Sequence, residues 1–441
     1  MRNLIPVLAI LLILLPLIPA VAQSPAPLYF PPLTGPTWAT TAPASLGWCQ
    51  TPLDSLLAFA GRKGSKSLLI LQDGRLVVEH YYGTYTTDSV HYWASAGKSL
   101  TATLVGLAQQ DGLLSLGDST SKYLGRWTSA TRAQQRQILI RHQLAMTTGL
   151  DDTPPAPCTN ESTAPGCLLY QAPPASRWAY HTGAYRTLQA VLVQASGAAG
   201  ITQYTNQRLG SRIGMTGLWS NDVYFSRARS MARFGLFILA RGSWNGTQVL
   251  DTAYFRRMTT PSQLLNRSYG YLWWLNGQSS YKLPGFQATF PGPLIPSAPA
   301  DLIAALGKND QKIYVVPSLR LVVVRQGNSA SASRLAASSF DAELWTRIMA
   351  VLCRPTATTA AAEAAGFLAY PNPAAETLTL RQPAHAAAAV RLLDALGREV
   401  LRQPATAAAT VAVAALPAGL YAAQWLDGSG RVLASRRVVR P

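Results

Sequence analysis

Residues 91–100 read HYWASAGKSL, and the run TATLVGLAQQDG behind them repeats apolar residues at helical spacing until Gly112. A helix turns every 3.6 residues, so Ser95 and Lys98 share one face of its first turn. A serine hydroxyl becomes a nucleophile only when a neighbouring base takes its proton. A lysine can be that base only where burial and nearby cations bring its pKa toward neutrality. A helix N-terminus adds free N–H groups and partial positive charge beside the serine, which suits a developing oxyanion. The stretch predicts a helix over about 95–111 that carries the nucleophile of a serine hydrolase.

Spacing alone does not single out Ser95. Ser-x-x-Lys recurs at Ser119–Lys122, within LGDSTSKYLG, and at Ser279–Lys282, within NGQSSYKLPG. Both read as solvated loop without a long apolar helix behind them. An N-cap serine beside an exposed lysine is the ordinary reading of such a pair. Ser95 differs in its aromatic, strand-like approach VHYWA and in its small neighbours Ala94, Ala96 and Gly97.

The chain has 441 residues, enough for two or three folded units with a sizeable core. Lys and Arg outnumber Asp and Glu by 38 to 20, a net charge of +18, but the excess is scattered. With no basic block interleaved with aromatics, a nucleic-acid partner is not expected. Arg2 precedes the apolar run LIPVLAILLILLPLIPAVA, which ends in Ala20-Val21-Ala22, so residues 1–22 read as a secretory signal peptide. The four cysteines suit an oxidising compartment. Cys158 and Cys167 bracket a short loop, Cys49 and Cys353 stand at the two ends of the expected catalytic domain, and three pairings are open. No histidine stands at ligand spacing to a cysteine, so neither metal nor cofactor is expected.

After an extended Pro/Ala/Thr-rich leader at 23–48, Leu53–Ala60 suggests a helix. Ser67–Leu71 and Leu76–Tyr82 flank Asp73-Gly74 as a hairpin. Short helices fill 112–150, a Pro/Cys-rich loop 151–176, and helices follow at about 184–196 and 227–241. Strands are expected at Tyr269–Leu275, Leu302–Leu306, Lys312–Val316 and Arg320–Arg325, and a closing helix at about 331–352. Strands at both ends with helices between them predict an α/β (α+β) domain at 49–353, an antiparallel sheet flanked by helices with a helical subdomain. A linker at 354–366 then leads to a small all-β sandwich of about seven strands at 367–441.

Three further segments carry a resemblance: HQLAMTTGLDD (142–152), WAYHTGAY (178–185) and ALGKNDQKIYVVPSLRLVVVRQG (305–327). In order and spacing, residues 50–352 resemble the serine β-lactamase-like hydrolases, which include class C β-lactamases, DD-peptidases, family VIII esterases and 6-aminohexanoate-dimer hydrolases. GYLWWLN and the last hairpin look most like the esterase and amide-hydrolase branch. The resemblance implies that Ser95 is acylated, that Lys98 is its basic partner and that Tyr180 moves protons, because a phenol near two lysines can ionise well below its usual pKa near 10. Thr182 replaces the asparagine of the family's Tyr-x-Asn motif, keeping a hydroxyl and losing an amide donor. Lys308 matches the cation of the third motif, here Lys308-Asn309-Asp310. Asp310 would put bulk and negative charge where substrate approaches. By position, the backbone N–H groups of Ser95 and Gln311 would form the oxyanion hole.

The likeness therefore implies an exported hydrolase of a small ester or amide. A β-lactamase or DD-peptidase, and a non-catalytic surface binder on the same scaffold, are the alternatives. YPNPAAETLTL, VRLLDALGREV and LPAGLYAAQWLDGSGRVLASRRVV (369–440) resemble the type A sorting domain of type IX secretion. That implies the type IX machinery as a partner, followed by release or attachment to surface lipopolysaccharide.

Overall fold

The computed structural model describes residues 27–330, 337–353, 366–382, 387–394, 398–405, 408–430 and 432–441. The expected signal peptide and almost all of the expected linker lie outside the described residues.

Helix α1 (Gln50–Arg62) leads into strands β1 (Ser65–Gln72) and β2 (Arg75–Tyr81). Their turn uses Asp73 and Gly74, both left-handed at φ 54° and 83°, the conformation that a two-residue hairpin matched to strand twist requires. The leader lies along this hairpin. Tyr29 N–H donates to Asp73 O, the Trp38 indole donates to Gly74 O, and a Cβ at Gly74 would sit 1.9 Å from Tyr29 O. Then come β3 (Val90–Tyr92), α2 (Gly97–Gln110), α3 (Thr182–Ser196), β4 (Leu218–Ser220), β5 (Val223–Arg227) and α4 (Ala228–Leu239). The domain closes with β6 (Trp274–Leu275), β7 (Ile303–Gly307), β8 (Gln311–Val316), β9 (Leu321–Gly327) and α5 (Ser339–Val351).

The main sheet runs β2-β1-β9-β8-β7-β6, all antiparallel, so the first strand of the domain pairs with its last and β2 forms one edge. Strands β8 and β9 are buried along their whole length because helices cover both faces. On one face Gly235 of α4 lies flat against Val322 and Ile313, where a Cβ would come within 2.4 Å of Val322. On the other, Trp345 of α5 meets Tyr314 edge-on, and Phe340 stacks on Phe59 of α1. The expected α/β layering is what the chain forms. The expected strand Tyr269–Leu275 shrinks to Trp274–Leu275. Tyr269 through Trp273 instead turn tightly, with Leu272 at φ 57° and Leu272 N–H donating to Leu144 O. Tyr269, Leu272 and Trp273 are buried in the main core, and Tyr269 pairs with Trp274 only in an isolated bridge.

Cys49 pairs with Cys353 and Cys158 with Cys167, which settles the pairing the sequence left open.

The C-terminal residues build strands β10 (Leu368–Tyr370), β11 (Thr377–Arg381), β12 (Ala389–Leu393), β13 (Glu399–Pro404), β14 (Ala408–Ala412), β15 (Gly419–Leu426) and β16 (Val432–Arg440). They form a three-stranded sheet, β10-β11-β14, and a four-stranded sheet, β13-β12-β15-β16. Both sheets feed one core that includes Leu378, Leu380, Val390, Val411, Trp425 and Val438. Its three motifs are turn devices. The Asn372 side chain bridges Arg437 O and Val439 N–H, Asp394 accepts from the backbone N–H and the guanidinium of Arg398, and the Tyr421 hydroxyl donates to Pro417 O.

Candidate active site

Ser95 sits in a single 3-10 turn, Ala94–Ala96, between β3 and α2. The approach is anchored by Trp93, whose N–H donates to Tyr224 O at 2.8 Å and whose indole donates to Ser226 Oγ at 2.7 Å. The chain then reverses through Ala94 at φ 47°, a left-handed conformation that a residue with a Cβ adopts only under local constraint. Gly307, the last residue of β7, closes the other side. A Cβ there would lie 2.4 Å from Trp93 O, so only glycine lets the strand end reach the nucleophile's turn. Ser95 itself remains partly accessible.

Lys98, one helical turn on, points back at Ser95. Its Nζ donates to Ser95 Oγ at 2.9 Å and to Thr182 Oγ1 at 3.2 Å. The same nitrogen lies 4.5 Å from the ring centre of Tyr185 and 4.9 Å from that of Tyr180. Lys98 is 2 % exposed, and among the described residues no carboxylate pairs with it. Burial, helped by the nearby Arg186 guanidinium and opposed by Glu161, brings its pKa down to about 7. This lysine therefore gives up its proton more readily than an exposed one, within hydrogen-bonding distance of a hydroxyl.

Tyr180 enters from the segment before α3. Its ring stacks on Trp274 at 5.9 Å and meets Tyr269 edge-on at 6.2 Å. The expectation of a readily ionised phenol is corrected here. Burial raises the Tyr180 pKa, and the neighbouring Ser95 hydroxyl offsets only part of that rise. Lys98 faces the ring of Tyr180, so its charge does little for the phenolic oxygen. Tyr180 is a neutral donor in this setting.

The third motif departs most from expectation. Lys308 is exposed, next in chain to Gly307, and makes no hydrogen bond or ion pair among the described residues. Asp310 does not face substrate. With Asn309 and Asp310 at φ 59°, the turn rotates the Asp310 carboxylate inward. There it pairs with Lys312 at 3.1 Å and accepts from Ser338 Oγ and Ala330 N–H. Arg325 holds the carbonyls of Asn309 and Asp310 from below, so the predicted charge at the substrate's approach is absent. Gln311 is fully buried, its side chain spanning Asn309 O, Gly327 O and Gly327 N–H.

Two contributors were not anticipated from the sequence. Tyr185 stands three residues beyond Thr182 on α3, a spacing that puts both on one face toward Lys98, so helical periodicity could have found it. Asn160, in the disulfide loop, touches Tyr180 and Thr182 through the backbone, and no local pattern marks it. A separate groove of about 590 Å³, lined by Ile238, Phe255, Leu275 and Ile303 among others, shares none of these residues.

Comparison with known proteins supports the same family. The Beta-lactamase family matches residues 58–343, and the Secretion system C-terminal sorting domain matches 368–439. An uncharacterized protein of Alkalihalophilus pseudofirmus is 23 % identical over 305 residues, covering 60 % of this chain and 83 % of the relative. Among solved structures, a proposed 6-aminohexanoate-dimer hydrolase from Bacillus anthracis aligns at a TM-score of 0.54 and 17 % identity, over 72 % of this chain and 87 % of that one. A proposed β-lactamase from Bacteroides dorei DSM 17855 aligns at 0.56 and 17 %, over 70 % and 100 %. A family VIII carboxylesterase aligns at 0.52 and 12 %, over 68 % and 96 %. At these identities the likeness is one of fold. The family match covers well over half of the sequence, and so the chain belongs to the Beta-lactamase family, with a C-terminal sorting domain that marks it as secreted or displayed at the cell surface.

Proposed function

We propose that the protein is an exported serine hydrolase that forms an acyl-enzyme on Ser95 from a small ester or amide. The carrying observation is the 2.9 Å contact between Lys98 Nζ and Ser95 Oγ, made by a buried amine that no carboxylate among the described residues holds protonated. In this reading the free amine of Lys98 takes the Ser95 proton as Oγ bonds to the substrate carbonyl carbon, and the carbonyl electron pair moves onto oxygen. The Ser95 backbone N–H faces that oxyanion. Collapse re-forms the carbonyl and breaks the bond to the leaving oxygen or nitrogen, which receives the proton that Lys98 took, with the neutral Tyr180 hydroxyl beside Ser95 donating to the group as it leaves. Water then attacks the acyl-Ser95 carbonyl by the same route, releasing the acid and restoring the serine. Thr182 fixes the amine, and the exposed Lys308 is the cation at the rim. The assigned role of Gln311 as an oxyanion donor is dropped from this scheme because the residue is wholly buried.

A β-lactam or a peptidoglycan peptide is the second reading. It is favoured by the inward turn of Asp310, which removes the negative charge that would oppose an anionic substrate. A non-catalytic binder on the same scaffold is the third reading, and it gains nothing from the contact of the buried Lys98 amine with Ser95 Oγ. Export is assigned to the expected signal peptide at 1–22 and the type IX route, with lipopolysaccharide attachment as one fate.

The test uses the full-length protein. A nitrophenyl ester of a short acid should give a burst of nitrophenol, and a fluorophosphonate probe should label the chain once. Both should vanish in Ser95→Ala. An unchanged rate in that variant would remove Ser95 from the chemistry. A stable adduct of a fluorescent penicillin on Ser95 would select the second reading.

A further inference from the structure

The loop that the second disulfide closes is docked onto the start of α3, directly behind the two residues that flank Lys98. Asn160 makes the connection. Its side-chain amide donates to Tyr180 O at 2.9 Å and to Asp152 O at 2.8 Å, and its amide oxygen accepts from Thr182 N–H at 2.9 Å. Its own carbonyl accepts from Gly183 N–H at 2.7 Å. A single side chain thus ties the backbone on both sides of His181, fixing where the Tyr180 phenol and the Thr182 hydroxyl point. Two neighbours in the loop complete the seat. Ser162 O packs against Gly183 so closely that a Cβ there would come within 2.0 Å. Glu161 accepts from Arg186 at 3.1 Å, and its carbonyl accepts from the same guanidinium at 2.9 Å. Asn160 in turn is held by the Cys158–Cys167 disulfide, whose Cα atoms stand 5.3 Å apart.

We infer that Asn160 is a positioning residue for Tyr180 and Thr182, and that the Cys158–Cys167 disulfide keeps it in place, so that turnover depends on the oxidised loop. The inference rests on the Ser95 reading for its effect on rate, but not for its effect on the backbone. The asparagine spans three backbone groups on two segments, and no shorter polar side chain can do so. Losing it leaves Tyr180 O and Thr182 N–H without their partner and lets the α3 start drift. A shift of about 1 Å in a catalytic group costs rate rather than binding, up to about 100-fold.

The experiment compares the full-length wild type with Asn160→Ala, Asn160→Asp and the double variant Cys158→Ser/Cys167→Ser. Ester turnover, thermal midpoint and amide hydrogen exchange are measured on each. Asn160→Ala should lower kcat by about 10- to 100-fold with KM nearly unchanged. Amide exchange should quicken at Thr182 and Gly183 while the sheet stays protected. Asn160→Asp keeps the acceptor for Thr182 N–H, loses both donors and should fall between the two. The disulfide variant should follow Asn160→Ala in both readouts.

A lowered thermal midpoint with kcat and exchange at 182–183 unchanged would mark Asn160 as mere structure and overturn the inference. If the wild type itself shows no Ser95-dependent turnover, the functional reading fails separately. The exchange measurement then still decides for or against the clamp.

Discussion

Ser95–Lys98 and Ser119–Lys122 have the same spacing and opposite fates. Lys122 projects from the short helix Ser121–Leu124, its side chain 59 % exposed, with the Asp118 carboxylate 3.0 Å away. That carboxylate raises its pKa, so it stays an ammonium. Ser119 spends its hydroxyl on Ser121 Oγ and Gln135 O. Lys98 has the reverse surroundings: aromatic rings, two hydroxyls and a nearby guanidinium, with no anion in contact among the described residues. What separates the two lysines is therefore not the motif but burial first and charge second: Lys98 is 2 % exposed with no carboxylate in contact among the described residues, whereas Lys122 lies in solvent beside Asp118.

The most severe way to break this contrast is to remove the amine. Lys98→Met keeps the length and burial of the side chain and should lower kcat/KM by roughly 1000-fold or more, as expected when a general base is lost from an acyl-transfer site. In the proposed mechanism the working form of Lys98 is the deprotonated one. The rate should therefore climb with pH through about 7 and fall about tenfold for each unit below it. A profile flat from pH 5 to 9 would show that Lys98 is not the titrating base.

A smaller loss should follow Tyr180→Phe, which keeps the stack on Trp274 and deletes only the hydroxyl. About 100-fold in kcat is expected, in the range of general acid–base contributions, and single-turnover kinetics will place it in acylation or deacylation. Smallest of all is the second pair. Ser119→Ala with Lys122→Ala should leave ester turnover within about twofold of wild type, since surface changes away from a site rarely propagate. A large loss there would mean that the two motifs are not as different as their surroundings indicate.

Much of this was legible in the sequence because it is local. The Asp73-Gly74 hairpin, the amphipathic helix at 228–239 and the strand pair joined by Pro317–Leu319 follow from turn chemistry and periodicity within a dozen residues. The sorting-domain motifs were equally plain, for each closes its own turn or the strand beside it. The errors came where burial decides. Asp310 was read as a charge facing substrate, but its direction depends on Lys312, Ser338 and Arg325, which only the folded sheet brings underneath it. The sequence makes Tyr180 look acidic because lysines are cationic, but burial raises its pKa and Lys98 faces its ring, not its oxygen. Asn160 was invisible for a third reason: its partners are backbone groups, which carry no sequence signature.

The Cys49–Cys353 bond joins the residue before α1 to the residues after α5, and Cys49 N–H also donates to Val351 O. The hydrolase portion is therefore a covalently closed circle from which the tail hangs by one strand of chain. A cut anywhere between Cys353 and the first C-terminal strand would shed the address label without opening the circle. With the tail gone, the two ends of the domain would still be tied to each other at Cys49 and Cys353.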